Sequence, residues 1–378
     1  MNDGLRLAVL LTDAFGGFGG ISKFNCDLLD AFNASAQVEH VTVLPRLIPD
    51  KICGLLPESM VYDRMASRGK ISYMRRVLSH SFRDSIDVVV CGHANLLAAA
   101  WLMSRLRHTK LILIIHGIEA WQPPRSKVLA SLFQSVDFVV SVSRLTAERF
   151  SSWSKFPLEK CIIQPNCVDL TRFESAPPDE QLIERYGLKG CKVLMTLGRL
   201  ALKERYKGFD EVMDVLPSLI PRFPNLKYLI VGDGQDRQRL EEKAKVLSIG
   251  DHVVFAGKIP ESDKVAHYNL ADAYVMPSSG EGFGIVLIEA AACGVPVIGS
   301  IVDGSREALL NGELGQLVHP ADVDALVKAI VGILSHPGER RRSPLLDTFS
   351  IGSFQGRVDH WLKLVSQDVV EQSVLAHA

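Results

Sequence analysis

The most constraining feature of the chain is a series of short apolar runs that do not alternate with polar residues. They fall at 7–12, 41–44, 88–91, 111–115 and 138–142. After a polar interval they resume at 192–197, 228–231, 253–256, 273–276 and 297–298. A strand with one wet face alternates, so runs that are apolar throughout are strands buried on both faces, which means parallel sheets covered by helices. The gaps between runs fit helices. The series also starts twice in the same way, with a strand, a glycine turn and a helix: 7–12 runs into 15–21, and 192–197 runs into Gly198. The predicted fold is therefore α/β, with two Rossmann-like, doubly wound parallel-sheet domains. A length of 378 residues suits two such domains.

The boundary is expected in the polar stretch 169–190, which carries Pro177 and Pro178. This divides the chain into domains at 1–172 and 173–352. A basic, proline-bearing break follows at 336–344. From Ser353 onward, Phe354, Val358, Trp361, Leu362 and Val365 recur at helical spacing, so an amphipathic helix over about 353–378 is expected to cross back onto the first domain. Basic and acidic side chains number 42 and 43, and so balanced a chain has no global field to draw nucleic acid. Seven cysteines (Cys26, Cys53, Cys91, Cys161, Cys167, Cys191, Cys293) are odd in number and never spaced C-x-x-C, which argues against zinc and a disulfide framework. The first residues lack the pattern of a signal peptide, and no run reaches the ~18 apolar residues of a membrane span. A cytoplasmic protein is expected, with any membrane contact at the inner face of the plasma membrane.

The strongest chemical signal is the run from Glu281 to Glu289, EGFGIVLIE, placed after a buried strand and the turn Pro277-Ser278-Ser279-Gly280. Gly282 and Gly284 leave backbone N–H groups accessible where a helix begins, and such a helix start binds anions. Glu281 stands before that helix and Glu289 inside it. The plain alternative is a surface turn and a solvated helix residue, but Glu289 is flanked by Leu287, Ile288 and Ala290, and a charge in so apolar a helix needs a partner. A second signal is Gly198-Arg199 at a strand end with Lys207-Gly208 beyond it, two cations placed to hold a diphosphate. Third, the loop 16–21 follows the first strand, but its G-x-G-x-x-G frame finds Ser22 where glycine belongs, and the frame beginning at Gly232 finds Arg237. A NAD-dependent dehydrogenase is excluded on that ground, whereas a glycine nest for phosphate is retained. Fourth, His116 and, with weaker support, His93 stand at the carboxyl ends of buried strands, facing either a ligand crevice or a hydrogen-bonded core position.

Together these residues resemble the retaining glycosyltransferases of family 4, which have the GT-B fold of two facing Rossmann-like domains. The matching pieces are the Gly-Gly-Ile loop at 19–21, His116-Gly117, Pro165-Asn166-Cys167-Val168-Asp169, Gly198-Arg199 with Lys207-Gly208, Val231-Gly-Asp-Gly234, and the Glu281 to Glu289 motif. They occur in family order across about residues 5–365. The resemblance implies that Arg199 and Lys207 grip the diphosphate of a nucleotide sugar, helped by amides at Gly19, Gly20 and Gly282, Phe283, Gly284 and Ile285. It implies that Glu289 binds the ribose hydroxyls, that Glu281 and His116 lie at the transferred sugar as the catalytic pair, and that Asn166 supports the donor site. Cys167 replaces the family's usual glycine. The Arg199 to Lys207 spacing is two residues longer than the commonest, which leaves Lys203 as the alternative lysine.

In this reading the phosphate leaving group is stabilised by cations and amides, with no cofactor and no obligatory metal. Asp322-Val-Asp324, the only D-x-D, opens a helix and is read as a cap. The expected donor is GDP-mannose, with a UDP-hexose close behind. The expected acceptor is a glycan or polyprenyl-linked sugar in surface polysaccharide or glycolipid assembly. Residues 64–83 interleave Arg64, Arg68, Lys70, Arg75, Arg76 and Arg83 with apolar side chains, a pattern that suits either an anionic membrane or a solvated helix. The rival readings are a non-catalytic nucleotide-sugar binder and a glycan phosphorylase-like enzyme, the latter short of length and of a pyridoxal phosphate site.

Overall fold

The computed structural model describes residues 4–49, 56–57 and 59–376; Cys53 lies outside them. The chain forms two compact units, Met1–Cys167 with Ile351–Ala378, and Val168–Ser350. The polar stretch at 169–190 thus belongs to the second unit. It also holds a helix, Glu180–Tyr186, because Asp179 accepts the N–H groups of Gln181 and Leu182 and Gly187 ends it in the left-handed region.

The first unit is built on a seven-stranded sheet in the order β3-β2-β1-β4-β5-β6-β7. The strands are β1 (Leu5–Leu11), β2 (Val38–Pro45), β3 (Met60–Tyr62), β4 (Val88–Cys91), β5 (Lys110–Ile115), β6 (Phe138–Ser141) and β7 (Cys161–Ile163). Every pairing is parallel. The second unit has six strands in the order β10-β9-β8-β11-β12-β13, also parallel throughout. These are β8 (Lys192–Leu197), β9 (Leu226–Val231), β10 (Val253–Gly257), β11 (Ala273–Val275), β12 (Val297–Ser300) and β13 (Gln316–Val318). The apolar runs are these strands. Val9, Val89, Val90, Ile112 and Ile114 are fully buried because helices cover both faces of the sheet.

The three strands without a preceding expectation, β3, β7 and β13, are three-residue edge strands. An edge strand has one neighbour and a half-wet surface, so it need not be apolar throughout. The closing helix runs Ile351–Ala376. Its Phe354, Val358, Trp361, Leu362 and Val365 are buried, and its Asp359 accepts from Ser35 Oγ at 2.5 Å and, through its carbonyl, from Gln37 at 2.8 Å. It therefore completes the first unit's core. Asp322 caps the helix Val323–Ser335 through Ala325 N–H at 2.9 Å, so this carboxylate is a cap. The described cysteines are all free thiols.

Each sheet reverses its strand order once, between β1 and β4 and between β8 and β11. Ligands of open α/β sheets bind beyond the carboxyl ends of the strands at such switch points. Gly19, Gly20, His93 and His116 in the first unit, and Gly198, Arg199 and the Glu281 turn in the second, follow strands at or next to those points, whereas Asn166 follows the edge strand β7 and Glu289 lies inside a helix.

Candidate active site

In the second unit, β8 leads into Gly198-Arg199 and β11 into the turn that carries Glu281. One backbone contact ties these exits together, and a second ties the exit of β8 to the end of β9. Ser279 N–H donates to the Tyr206 carbonyl at 2.8 Å, and Gly198 N–H donates to the Val231 carbonyl at 2.9 Å. The Val231-Gly-Asp-Gly234 motif explains itself here. Gly232 has φ +139, and a Cβ on it would lie 1.9 Å from the Gly198 carbonyl oxygen. Its glycine lets the end of β9 press against the exit of β8.

Lys207 and Glu281 form the centre. Their Nζ and Oε1 atoms are 2.5 Å apart, and each side chain is 16% exposed. Burial alone would lower the Lys207 pKa, but the adjacent Glu281 outweighs it and holds the ammonium above its ordinary range. Lys207 is thus the lysine that reaches Glu281, whereas Lys203 is exposed. Arg199 is 65% exposed and donates through Nη2 to Glu204 Oε1. Glu204 Oε2 lies 3.8 Å from Lys207 Nζ, so Glu204 stands between the two cations.

The Glu281 turn is fixed from below by Asp303, a residue that sequence reasoning missed. Its buried carboxylate accepts from Glu281 N–H (2.9 Å), Ser278 Oγ (2.6 Å) and Ser305 N–H (3.0 Å), and Gly304 N–H returns a bond to the Glu281 carbonyl at 2.8 Å. A Cβ on Gly304 would sit 2.1 Å from the Gly282 carbonyl oxygen, so this close approach requires glycine. Burial pushes the Asp303 carboxyl up to about 6. With a folded pKa above the ordinary 3.8, the charged form opposes folding, by roughly 3 kcal/mol above pH 6, and the cost fades as pH falls toward 3.8. Protonation removes acceptors from Ser278 and Glu281. Any activity that depends on the Glu281 turn should therefore fall as pH drops through about 6. Asp303→Asn should abolish that acid limb, and a pH–rate profile of both proteins checks it.

The helix Ile285–Ala292 starts behind Gly284 (φ +92) with no side-chain cap. Its first N–H groups therefore face the strand ends without partners in the helix. Phe283 is buried edge-on against Phe349, ring centroids 5.4 Å apart, which anchors the turn. Glu289, 2% exposed, has the partners that its apolar setting demands. Lys264 Nζ is 3.1 and 3.3 Å from its two oxygens, and Tyr268 donates to Oε2 at 2.7 Å. Lys264 and Tyr268 are four apart, on one face of the helix Lys264–Tyr268; that spacing was the available signal. Burial lowers the Lys264 pKa less than Glu289 and Glu261 raise it, so its ammonium stays charged.

In the first unit, β1 leads through Gly19 (φ +93) into the helix Gly20–Ala34, which likewise starts without a side-chain cap. His116 follows β5. Its Nε2 donates to the Gly92 carbonyl at 2.9 Å, its ring meets Phe24 of that helix edge-on at 5.2 Å, and its own N–H donates to Glu119 at 2.5 Å. Burial lowers the His116 pKa, so the ring is neutral and its Nδ1 is an acceptor. His93 after β4 stacks on His116 with centroids 6.3 Å apart, and its Nδ1 caps Asn95 N–H. Asn166 is buried just after β7. The structure thus brings Arg199, Lys207 and Glu281 together, and links His116 to the helix of Gly20. Glu289 is held by its own partners, Lys264 and Tyr268.

One of the two doubly wound α/β units thus carries cations, a carboxylate turn and an uncapped helix start at its switch point, an arrangement suited to an anionic ligand. Residues 18–172 match the family model described as Glycosyltransferase Family 4, and residues 179–344 the one described as Glycosyl transferases group 1. The GDP-mannose-dependent alpha-(1-6)-phosphatidylinositol monomannoside mannosyltransferase of Mycolicibacterium smegmatis is 34% identical over 295 residues, covering 75% of this chain and 73% of its own. The phosphatidyl-myo-inositol mannosyltransferase of the same organism is 40% identical over 171 residues, covering 45% and 42%. Anabaena HepE, solved with UDP-glucose, superposes with a TM-score of 0.70 at 19% identity, covering 98% of this chain and 99% of its own. The sucrose-phosphate synthase of Thermosynechococcus elongatus superposes at 0.71 and 19%, covering 99% and 100%. The chain belongs to glycosyltransferase family 4. Among the described residues, no helix is long and apolar enough to cross a membrane.

Proposed function

We propose that the enzyme transfers mannose from GDP-mannose, with retention of anomeric configuration, to an inositol-phospholipid or related glycolipid acceptor. The observation that carries the reading is the Lys207–Glu281 pair with Arg199 beside it, at the switch point of the second sheet. Breaking a sugar–diphosphate bond puts negative charge on the leaving phosphate. Fixed cations and helix N–H groups stabilise that charge without reorganising. In this reading Arg199, Lys207 and the amides of Gly282, Phe283, Gly284 and Ile285 hold the diphosphate, Glu289 holds the ribose, and Glu281 lies at the sugar. The resemblance supplies the first unit's roles: Gly19 and Gly20 toward phosphate, neutral His116 accepting from a sugar hydroxyl, and Asn166 in support.

GDP-mannose is preferred over a UDP-hexose because the relatives at 34% and 32% identity are named for it. The structures solved with UDP are below 20% identity and speak to fold alone. The same relatives move the acceptor away from a polyprenyl carrier. Calorimetry with GDP, UDP and ADP in the presence of EDTA should show a clear GDP preference. Incubation with GDP-mannose and phosphatidylinositol vesicles should yield a mannosylated lipid. Tighter UDP binding, or GDP binding with no transfer to any mannosyl acceptor, sinks the donor or the catalytic reading respectively.

We propose that residues 64–83 meet an anionic lipid surface. They form a short turn Arg64–Arg68 and a helix Lys70–Arg83, broken at Gly69. Tyr73, Val77 and His80 face inward, while Ile71 and Phe82 are each 72% exposed beside Arg68, Lys70, Arg75 and Arg83. Arg76 is not part of this basic rim, because Asp63 holds it. Ile71→Ser with Phe82→Ser should reduce sedimentation with anionic vesicles and leave GDP binding unchanged.

A further inference from the structure

The donor cluster is electrically full before any donor arrives. Arg199 and Lys207 supply two positive charges, and Glu204 and Glu281 supply two negative ones. A nucleoside diphosphate therefore enters a site whose cations already have carboxylate partners, and it competes with them for the same charges. The two carboxylates are not equivalent. Glu281 is fixed by the Asp303 and Gly304 bonds to its backbone, and its partner Lys207 is buried. Glu204 holds Arg199, whose side chain is 65% exposed. Glu204 itself is only 15% exposed, and its Oε2 accepts no hydrogen bond although it is buried. Its side chain is not needed to shape the loop. Backbone bonds close the turn, from Glu204 N–H to the Ala201 carbonyl (2.8 Å) and from Lys207 N–H to the Glu204 carbonyl (3.2 Å).

We propose that Glu204 is a resident counter-anion of the diphosphate clamp: it occupies Arg199 in the empty site, yields it to the incoming diphosphate, and competes for it again when the nucleoside diphosphate must leave. The inference rests on the donor-site reading above. Glu204 keeps Arg199 close to the site between turnovers, and its charge, near the bound phosphates, weakens the hold on the product.

Glu204→Gln keeps the shape and removes the charge. The variant should bind GDP about tenfold more tightly, GMP with a smaller gain, and guanosine unchanged, because the repulsion scales with phosphate charge. Its kcat and KM for GDP-mannose should fall together as product release slows. Equal or weaker GDP binding by a folded Glu204→Gln variant overturns the proposal and makes Glu204 a positioning residue for Arg199. Glu204→Ala is the second variant, and it should also tighten GDP. The Arg199→Ala control separates the two readings. If it weakens GDP binding while both Glu204 variants leave it unchanged, this inference alone fails. If the unaltered protein binds no nucleoside diphosphate, the donor-site reading fails with it.

Discussion

Lys207→Ala should lower kcat/KM for sugar transfer by about 10²–10³-fold. Removal of one preorganised group at developing negative charge typically costs ~2.7–4 kcal/mol. The loss here has a second source. Lys207 Nζ lies 2.5 Å from Glu281 and 3.8 Å from Glu204, so the alanine leaves two carboxylates facing a diphosphate with only Arg199 to offset them. GDP affinity should therefore fall along with the rate. Initial rates at varied GDP-mannose, with calorimetry for GDP, check both. A folded Lys207→Ala protein within threefold of the parent in kcat/KM would remove the residue from the site. Lys203→Ala is the matched control and should behave as the parent, because Lys203 is exposed and Lys207 is the lysine at Glu281.

Glu289→Ala should damage stability most. The carboxylate is 2% exposed, and its loss strands the Lys264 ammonium and the Tyr268 hydroxyl in a nearly dry pocket. Breaking a buried ion pair by removing one partner costs about 3–5 kcal/mol. For a unit of this size each kcal/mol moves the midpoint by roughly 2–4 °C, so thermal unfolding should shift down by ~6–20 °C. Glu261, 3.1 Å from Lys264, tempers the loss toward the lower end. Glu289→Gln keeps an acceptor for Tyr268 and should be the milder change. It is also the cleaner test of the ribose role: if it is folded and binds GDP as the parent does, Glu289 is a structural anchor for the helix and not a ligand contact.

Much of this was legible from the chain alone. Apolar strand runs announce parallel sheets because burial on both faces leaves no room for alternation. Glu289 stands out because a carboxylate in an apolar helix demands a partner, and it has two; Glu281 stands out because it precedes a glycine-rich helix start. The partners themselves were not legible. Lys264 and Tyr268 lie more than twenty residues upstream of Glu289, and Asp303 lies twenty-two residues beyond Glu281. The edge strands β3, β7 and β13 escaped because a three-residue strand with one neighbour leaves almost no pattern. The Val231-Gly-Asp-Gly234 motif fails as a dinucleotide frame at Arg237 and counts only toward the family resemblance; the structure supplies a packing reason for it, the contact of Gly232 with Gly198.

By itself, then, the sequence determined the α/β class, the order of the ten longer-patterned strands, the cation and carboxylate types of the candidate site, and the family. These depend on local periodicity and on short motifs that the chain carries within a few residues. Tertiary structure decided which lysine meets Glu281, which carboxylate stands between Arg199 and Lys207, and what neutralises Glu289. Those pairings are made between strand ends that parallel crossovers bring together from distant parts of the chain, and charge pairing in a buried site is settled by distance in space, which periodicity does not encode.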